Sequence, residues 1–126
     1  MAPVHLFDLV SRHNQWLSVR QTAIAGNIAN ANTPAFKALD VQPFEKVLDS
    51  TRLSMAATRQ GHLTPGDSGP PTGEVQSENA WEVSHSGNSV SLEQELVKAG
   101  EVNRSYRLNA GVVKAFHRML LASSKV

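Results

Sequence analysis

Leu92, Ala99, Tyr106, Val113 and Leu120 stand seven residues apart, with Leu96, Asn103, Ala110 and His117 on the alternate positions. A seven-residue repeat held over about four turns of the pattern marks a helix that buries a narrow seam. Val10, Leu17, Ile24 and Ala31 carry the same spacing near the other end, and Leu9, Trp16 and Ala23 complete the apolar pairs. These patterns predict an N-terminal helix over 5–32 and a C-terminal helix over 91–123. Ser91-Leu92-Glu93-Gln94 offers a capping box for the second helix, with acids where the helix dipole favours them. Gly100 and Gly111 interrupt it, each costing about 1 kcal/mol relative to alanine. Close approach of another helix and local bending are both open as reasons for them.

A helix with one apolar face must cover that face. Each terminal helix has the other as its first candidate partner. The expected fold is therefore mainly α: a coiled-coil-like antiparallel hairpin of two long helices, read as one domain over 1–126. The middle, 33–90, is predicted to be irregular and partly disordered, because Gly61 to Gly73 ("GHLTPGDSGPPTG") is rich in Gly and Pro. A short helix is expected over 43–55, carrying Phe44, Val47 and Leu48, and a short extended piece around Trp81 and Val83. Such a middle offers little cover for two long helices, so partner chains are the natural completion.

The 126 residues include only seven aromatics, and the formal net charge is +1. Basic residues are spread along the chain and form no run, which argues against a nucleic-acid footprint and against a polybasic membrane patch. No apolar run reaches the roughly 18–20 residues of a membrane span, so direct insertion into a membrane is not expected. The opening "MAPVHLFDLVSRHNQ" lacks the pattern of a cleaved secretory signal. Cysteine is absent, which removes disulfides and thiolate chemistry.

Five histidines (His5, His13, His62, His85 and His117) fall at no metal-binding spacing, so neither metal nor cofactor is expected. His13 and His117 lie along the seams, where a packing role is expected. The pairs Glu93/Glu95 and Glu45/Asp49 read as solvated helix charge. "GDSGPP" has the letters of a protease nucleophile loop without the partner residues that chemistry needs, and "GHLTPGDSG" lacks the lysine of a phosphate loop. An enzyme is not expected.

The first helix closes on "NIANANTP", three asparagines before a proline. Pro34 disfavours helical geometry at Thr33, so the helix should end near Asn32. Asn27 and Asn30 lie three apart, at the edge of the seam. An amide there can bond across to another backbone or chain and set the register of packing. A frayed polar helix end is the simpler alternative.

"NIANANTPAFKA" closely resembles the N-terminal signature of bacterial flagellar rod and hook proteins. Asn27, Ile28, Ala29, Asn30, Thr33, Pro34, Phe36 and Lys37 match its pattern, and Ala35 stands where glycine is usual. "RQTAIAG", "FEKVL", "ATRQGHL" and the C-terminal "NSVSLEQELVKAGEVNRSYRLNAGVVKAFHRMLLAS" are similar to the basal-body rod proteins of that family. The resemblance implies a structural rod subunit whose terminal helices line a helical tube. Its seam positions would be Val10, Leu17, Ile24, Leu92, Leu96, Ala99, Tyr106, Val113 and Leu120. Asn27 and Asn30 would then set register between subunits. It further implies passage through the flagellar export apparatus, a place in the periplasmic rod, and as partners the chain itself and other basal-body proteins. Alternatives are another rod protein or a non-flagellar helical-hairpin adaptor.

Overall fold

The computed structural model describes residues 5–50, 75–78 and 80–125. Helix α1 spans Leu6–Ala29 and α3 spans Leu92–Ser124, with the short α2 at Phe44–Ser50 between them. The chain is thus mainly helical, built on two long helices. The predicted bounds of 5–32 and 91–123 compare with these, and α1 stops earlier because Asn30 and Ala31 already turn back on the last carbonyls. Ser91 caps α3, its Oγ accepting from the Gln94 N–H at 3.5 Å. The reciprocal half of the capping box is missing. The Gln94 side chain instead bonds Glu78 at 2.5 Å and accepts from the Trp81 N–H.

Two strands are not legible in the sequence. β1 (Leu39–Val41) and β2 (Val75–Ser77) pair antiparallel, with Asp40 opposite Gln76. Three residues are too few for period-two alternation to show. The extended piece expected around Trp81 and Val83 is not a strand; the pairing lies further back, at 75–77. The short helix begins one residue after Pro43, whose carbonyl accepts from Lys46 N–H and Val47 N–H. The remainder of the 43–55 expectation, and the Gly/Pro-rich stretch, fall outside the described residues.

α1 and α3 contact each other in reverse chain order. Phe7 meets Phe116 edge-on with ring centroids 5.4 Å apart, the Tyr106 hydroxyl donates to the Asn14 carbonyl, and Arg20 pairs with Glu101. Further along, Asn27 reaches Glu95. Among the described residues the apolar core is Trp16, Leu17, Ile24, Val41, Val47 and Val102, with Val19, Ala23, Phe44, Ala99 and Tyr106 packed around it. Trp16 satisfies its indole N–H on the Gln42 carbonyl at 2.8 Å, which pins the chain after β1 to α1.

The face of α3 turned toward α1 differs from the predicted seam. Its buried residues are Gln94, Glu95, Lys98, Val102 and Asn109, and Ala99, Tyr106 and Val113 are half-buried. Leu92, Leu96 and Leu120 are 49, 67 and 47% exposed. The expected second register of Leu96, Asn103, Ala110 and His117 is displaced by one residue onto Glu95, Val102, Asn109 and Phe116. Hydrophobicity places it on leucine, whereas the buried polar residues find polar and charged partners that no apolar count includes. On α1, Leu17 and Ile24 are buried and Val10 is half-buried.

Candidate functional site

Asn27 is 1% exposed, and its whole amide is used. Nδ2 donates to the Leu39 carbonyl at 2.7 Å and to Glu95 Oε2 at 3.1 Å, while Oδ1 accepts from the Leu39 N–H at 2.9 Å. One side chain therefore holds β1 against α1 through both backbone groups of a single residue, and ties both to α3. This differs from the expected contact between subunits: the register Asn27 sets is that of its own strand and helices.

Asn30 acts locally. Its Nδ2 donates to the Gly26 carbonyl at 2.8 Å and its Oδ1 accepts from the Thr33 hydroxyl at 3.1 Å, so it closes the helix and starts the turn. Pro34 and Ala35 then occupy the centre of a turn closed by the Phe36 N–H on the Thr33 carbonyl at 3.3 Å. Ala35 has φ of 60°, as a turn with proline at its second position and a left-handed third residue demands. Glycine is the usual residue for that geometry, because a side chain there is strained.

A second asparagine completes the arrangement. Asn88, 3% exposed, donates to the carbonyls of Asn30 at 2.9 Å and Thr33 at 2.7 Å, and accepts from the Val90 N–H. Ser89 Oγ accepts from the Ala38 N–H at 2.8 Å and its own N–H donates to the Phe36 carbonyl. The Ala35 N–H donates to the Ser86 carbonyl, and Lys37 Nζ to the Gly87 carbonyl at 3.2 Å. The turn after α1 and the loop before α3 are thus laced together, with Gly87 in the left-handed region at φ 80° beside Ala35. Helix periodicity does not single out Asn88 and Ser89; the signal the sequence carries for them is an Asn-Ser pair one residue short of the capping Ser91.

The motif residues divide by position. Asn27 is buried and Phe36 half-buried; Ile28, Ala29, Thr33, Pro34 and Lys37 are exposed. Phe36 lines an apolar groove of about 340 Å3 with Val19, Ala23, Leu39 and Val75.

Beneath this motif lies a buried ion cluster. Glu95 is fully buried, between Asn27 and Lys98, which corrects its reading as solvated charge. Glu93 is exposed, accepting from the Ser91 hydroxyl. Lys98 Nζ contacts Glu95 at 3.0 Å, Asp40 at 3.7 Å and Glu78. Arg20 joins Asp40 at 3.2 Å to Glu101 at 3.2 Å and lies over the Trp16 ring. Burial by itself lowers the Lys98 pKa; hydrogen bonds to Glu78 and Glu95 and the charges of Asp40 and Glu95 outweigh it, and the net shift is upward. No buried side-chain polar atom among the described residues lacks a partner.

His13 stacks on Trp16, lies tilted against Phe44 and bonds Asn109 through Nδ1, as a packing residue does. His5, His85 and His117 are exposed, and His62 lies outside the described residues. Among the described residues no three His, Asp or Glu side chains converge as metal ligands would, and no helix is long and apolar enough to cross a membrane. The arrangement joins α1, β1, the 84–91 loop and α3 into one unit and leaves long faces of both helices outside it.

No family model matches the chain. It is 47% identical to the flagellar basal body rod protein FlgB of Agrobacterium fabrum, over 99% of this chain and 96% of that one. The proteins of the same name from Escherichia coli and Shigella flexneri are each 27% identical over 80% of this chain and 82% of theirs. At that identity over nearly its full length, the chain belongs to the FlgB family of flagellar basal body rod proteins.

Proposed function

We propose that this chain is a structural subunit of the flagellar basal-body rod, with α1 and α3 acting as a coiled-coil-like antiparallel hairpin that packs into the axial tube. The near full-length identity to the Agrobacterium fabrum rod protein carries this reading. Its physical support is the number of large apolar side chains that α3 leaves exposed: Leu92, Leu96, Leu108, Met119, Leu120 and Leu121 are all at least 47% exposed. Packing against neighbouring helices would cover them. In the assembled rod the exposed seam residues Leu92, Leu96 and Leu120 pack against neighbours, while Leu17, Ile24, Ala99 and Tyr106 serve the hairpin itself. The exposed motif residues Ile28, Ala29, Thr33, Pro34 and Lys37 contact adjacent subunits.

Its partners are further copies and other rod and basal-body proteins. It reaches them through the flagellar export apparatus, and its place is the periplasmic section of the rod. It performs no catalysis. Mass spectrometry of basal bodies purified from the source organism is the test. The chain is expected in the rod fraction; its absence from intact, functional basal bodies overturns the assignment. A non-flagellar adaptor would account for the helices alone, and no observation favours it.

A further inference from the structure

Arg104, Arg107, Lys114, Arg118 and Lys125 are scattered in the sequence, yet residues 102–125 contain no Asp or Glu at all. Positions 104, 107, 111, 114 and 118 follow steps of three and four, so they share one face of α3; Lys125 follows at its C-cap, and Arg104 at the edge of the stripe also borders the groove against α1 and α2. That face is offset by two residues, about 200° around the helix, from the Val102, Tyr106 and Asn109 side that meets α1. All five cations are exposed, and none forms an ion pair among the described residues. Like charges at these spacings repel, and the helix dipole rewards cations only in the last turn. Beside the stripe run Leu108, Val112 and Met119, at 66, 38 and 61% exposure.

The other end of the same helix carries the complement. Glu93 and Glu82 are exposed there, among Trp81, Val83, Leu96 and Val97, each at least 51% exposed. The Trp81 N–H on Gln94 Oε1 fixes that segment beside the first turns of α3. The two patches are both apolar in part, opposite in charge, and separated by roughly 25 Å along the helix. Gly100 and Gly111 lie on the outward face between and within them, and a Cβ at either would meet nothing within 4 Å. Among the described residues no contact explains either glycine, whereas a second helix lying on this face would.

We infer that the basic stripe of α3 docks a second copy of this chain through that copy's acidic and apolar patch around Glu82 and Glu93. This rests on the rod reading and names the partner of the exposed helix face. A patch at one end that fits a different patch further along is a head-to-tail contact, which extends into an open assembly unless its rotation closes. Nothing covalent is required.

Sedimentation velocity of the full chain at low and high salt tests it. Self-association is expected to weaken with salt. Glu82→Lys/Glu93→Lys and Arg107→Glu/Lys114→Glu are each expected to weaken it about tenfold or more, the effect of reversing a few exposed charge pairs. All four positions are exposed, and circular dichroism checks that each variant keeps wild-type helicity. An equimolar mixture of the two variants is expected to recover association, because each reversed patch then meets its opposite. Association indifferent to both variants, failure of the mixture to recover it, or a chain that stays monomeric while pelleting with phosphatidylglycerol vesicles overturns the inference. Incorporation into basal bodies is scored separately: normal incorporation of both variants overturns the charge pairing and leaves the rod assignment standing.

Discussion

Ala35 and Asn27 show opposite relations between a side chain and the backbone it serves. At φ of 60°, Ala35 occupies a conformation that disfavours any Cβ, yet the Thr33–Phe36 turn and the Ser86 carbonyl hold it there. Ala35→Gly should relieve that strain and stabilise the fold by about 1 kcal/mol, less whatever glycine's extra freedom in the unfolded chain removes. Urea denaturation followed by circular dichroism reads the change; a clear destabilisation would contradict the turn geometry. Asn27 instead supplies what the backbone lacks. Asn27→Leu leaves the N–H and C=O of Leu39 without their partners beneath α1, and should destabilise by roughly 2–4 kcal/mol. An effect under about 0.5 kcal/mol would mean that β1 is not held by this amide.

Each long helix presents one buried face and one exposed face. On α3, Leu96 is exposed and Val102 is 2% exposed. Leu96→Ala should therefore change the stability of the free subunit by less than about 0.5 kcal/mol, as exposed substitutions do. If that face packs against a neighbour in the rod, the same substitution should impair motility. Equal losses of stability from Leu96→Ala and Val102→Ala would return the intramolecular seam to the leucine register. The inner face also carries Lys98, the cation among Glu78, Glu95 and Asp40. Lys98→Met leaves buried carboxylates uncompensated and should cost about 3–5 kcal/mol near neutral pH. Its folded pKa lies above the ordinary 10.5, so the ion's contribution is fully present below 10.5 and is lost as the pH rises through the folded value. The gap between wild type and Lys98→Met should accordingly close only in strongly alkaline solution, as equilibrium unfolding at a series of pH values would show.

Among the described residues the molecule rests on a small apolar core, supplemented by buried ions and asparagine amides. Ionic groups in a core contribute less net stability than well-packed apolar ones, because their desolvation offsets much of their attraction. The isolated subunit should therefore be only marginally stable, by about 5 kcal/mol or less. Such a chain would unfold readily. Thermal unfolding followed by circular dichroism is expected to be complete by ordinary mesophile temperatures; a sharp transition above about 65 °C would contradict this.

The two long helices, the ends of α1 and α3 within a few residues, and the signature from Asn27 to Lys37 were all legible in the chain, because helix periodicity and proline sterics are local properties. Leu17 and Ile24 could be placed in the core for the same reason. The tertiary structure alone decided which flank of α3 turns inward, since Glu95, Lys98 and Asn109 are buried by partners distant in sequence and not by their own hydrophobicity. It likewise decided that Asn27 serves β1, that Asn88 closes the turn after α1, and that β1 and β2 exist at all. The outward basic stripe belongs to both. Its residues are spaced by the sequence, but like charges three and four apart become neighbours only when the helix winds them onto one face, and they remain outward only because α1 occupies the other side.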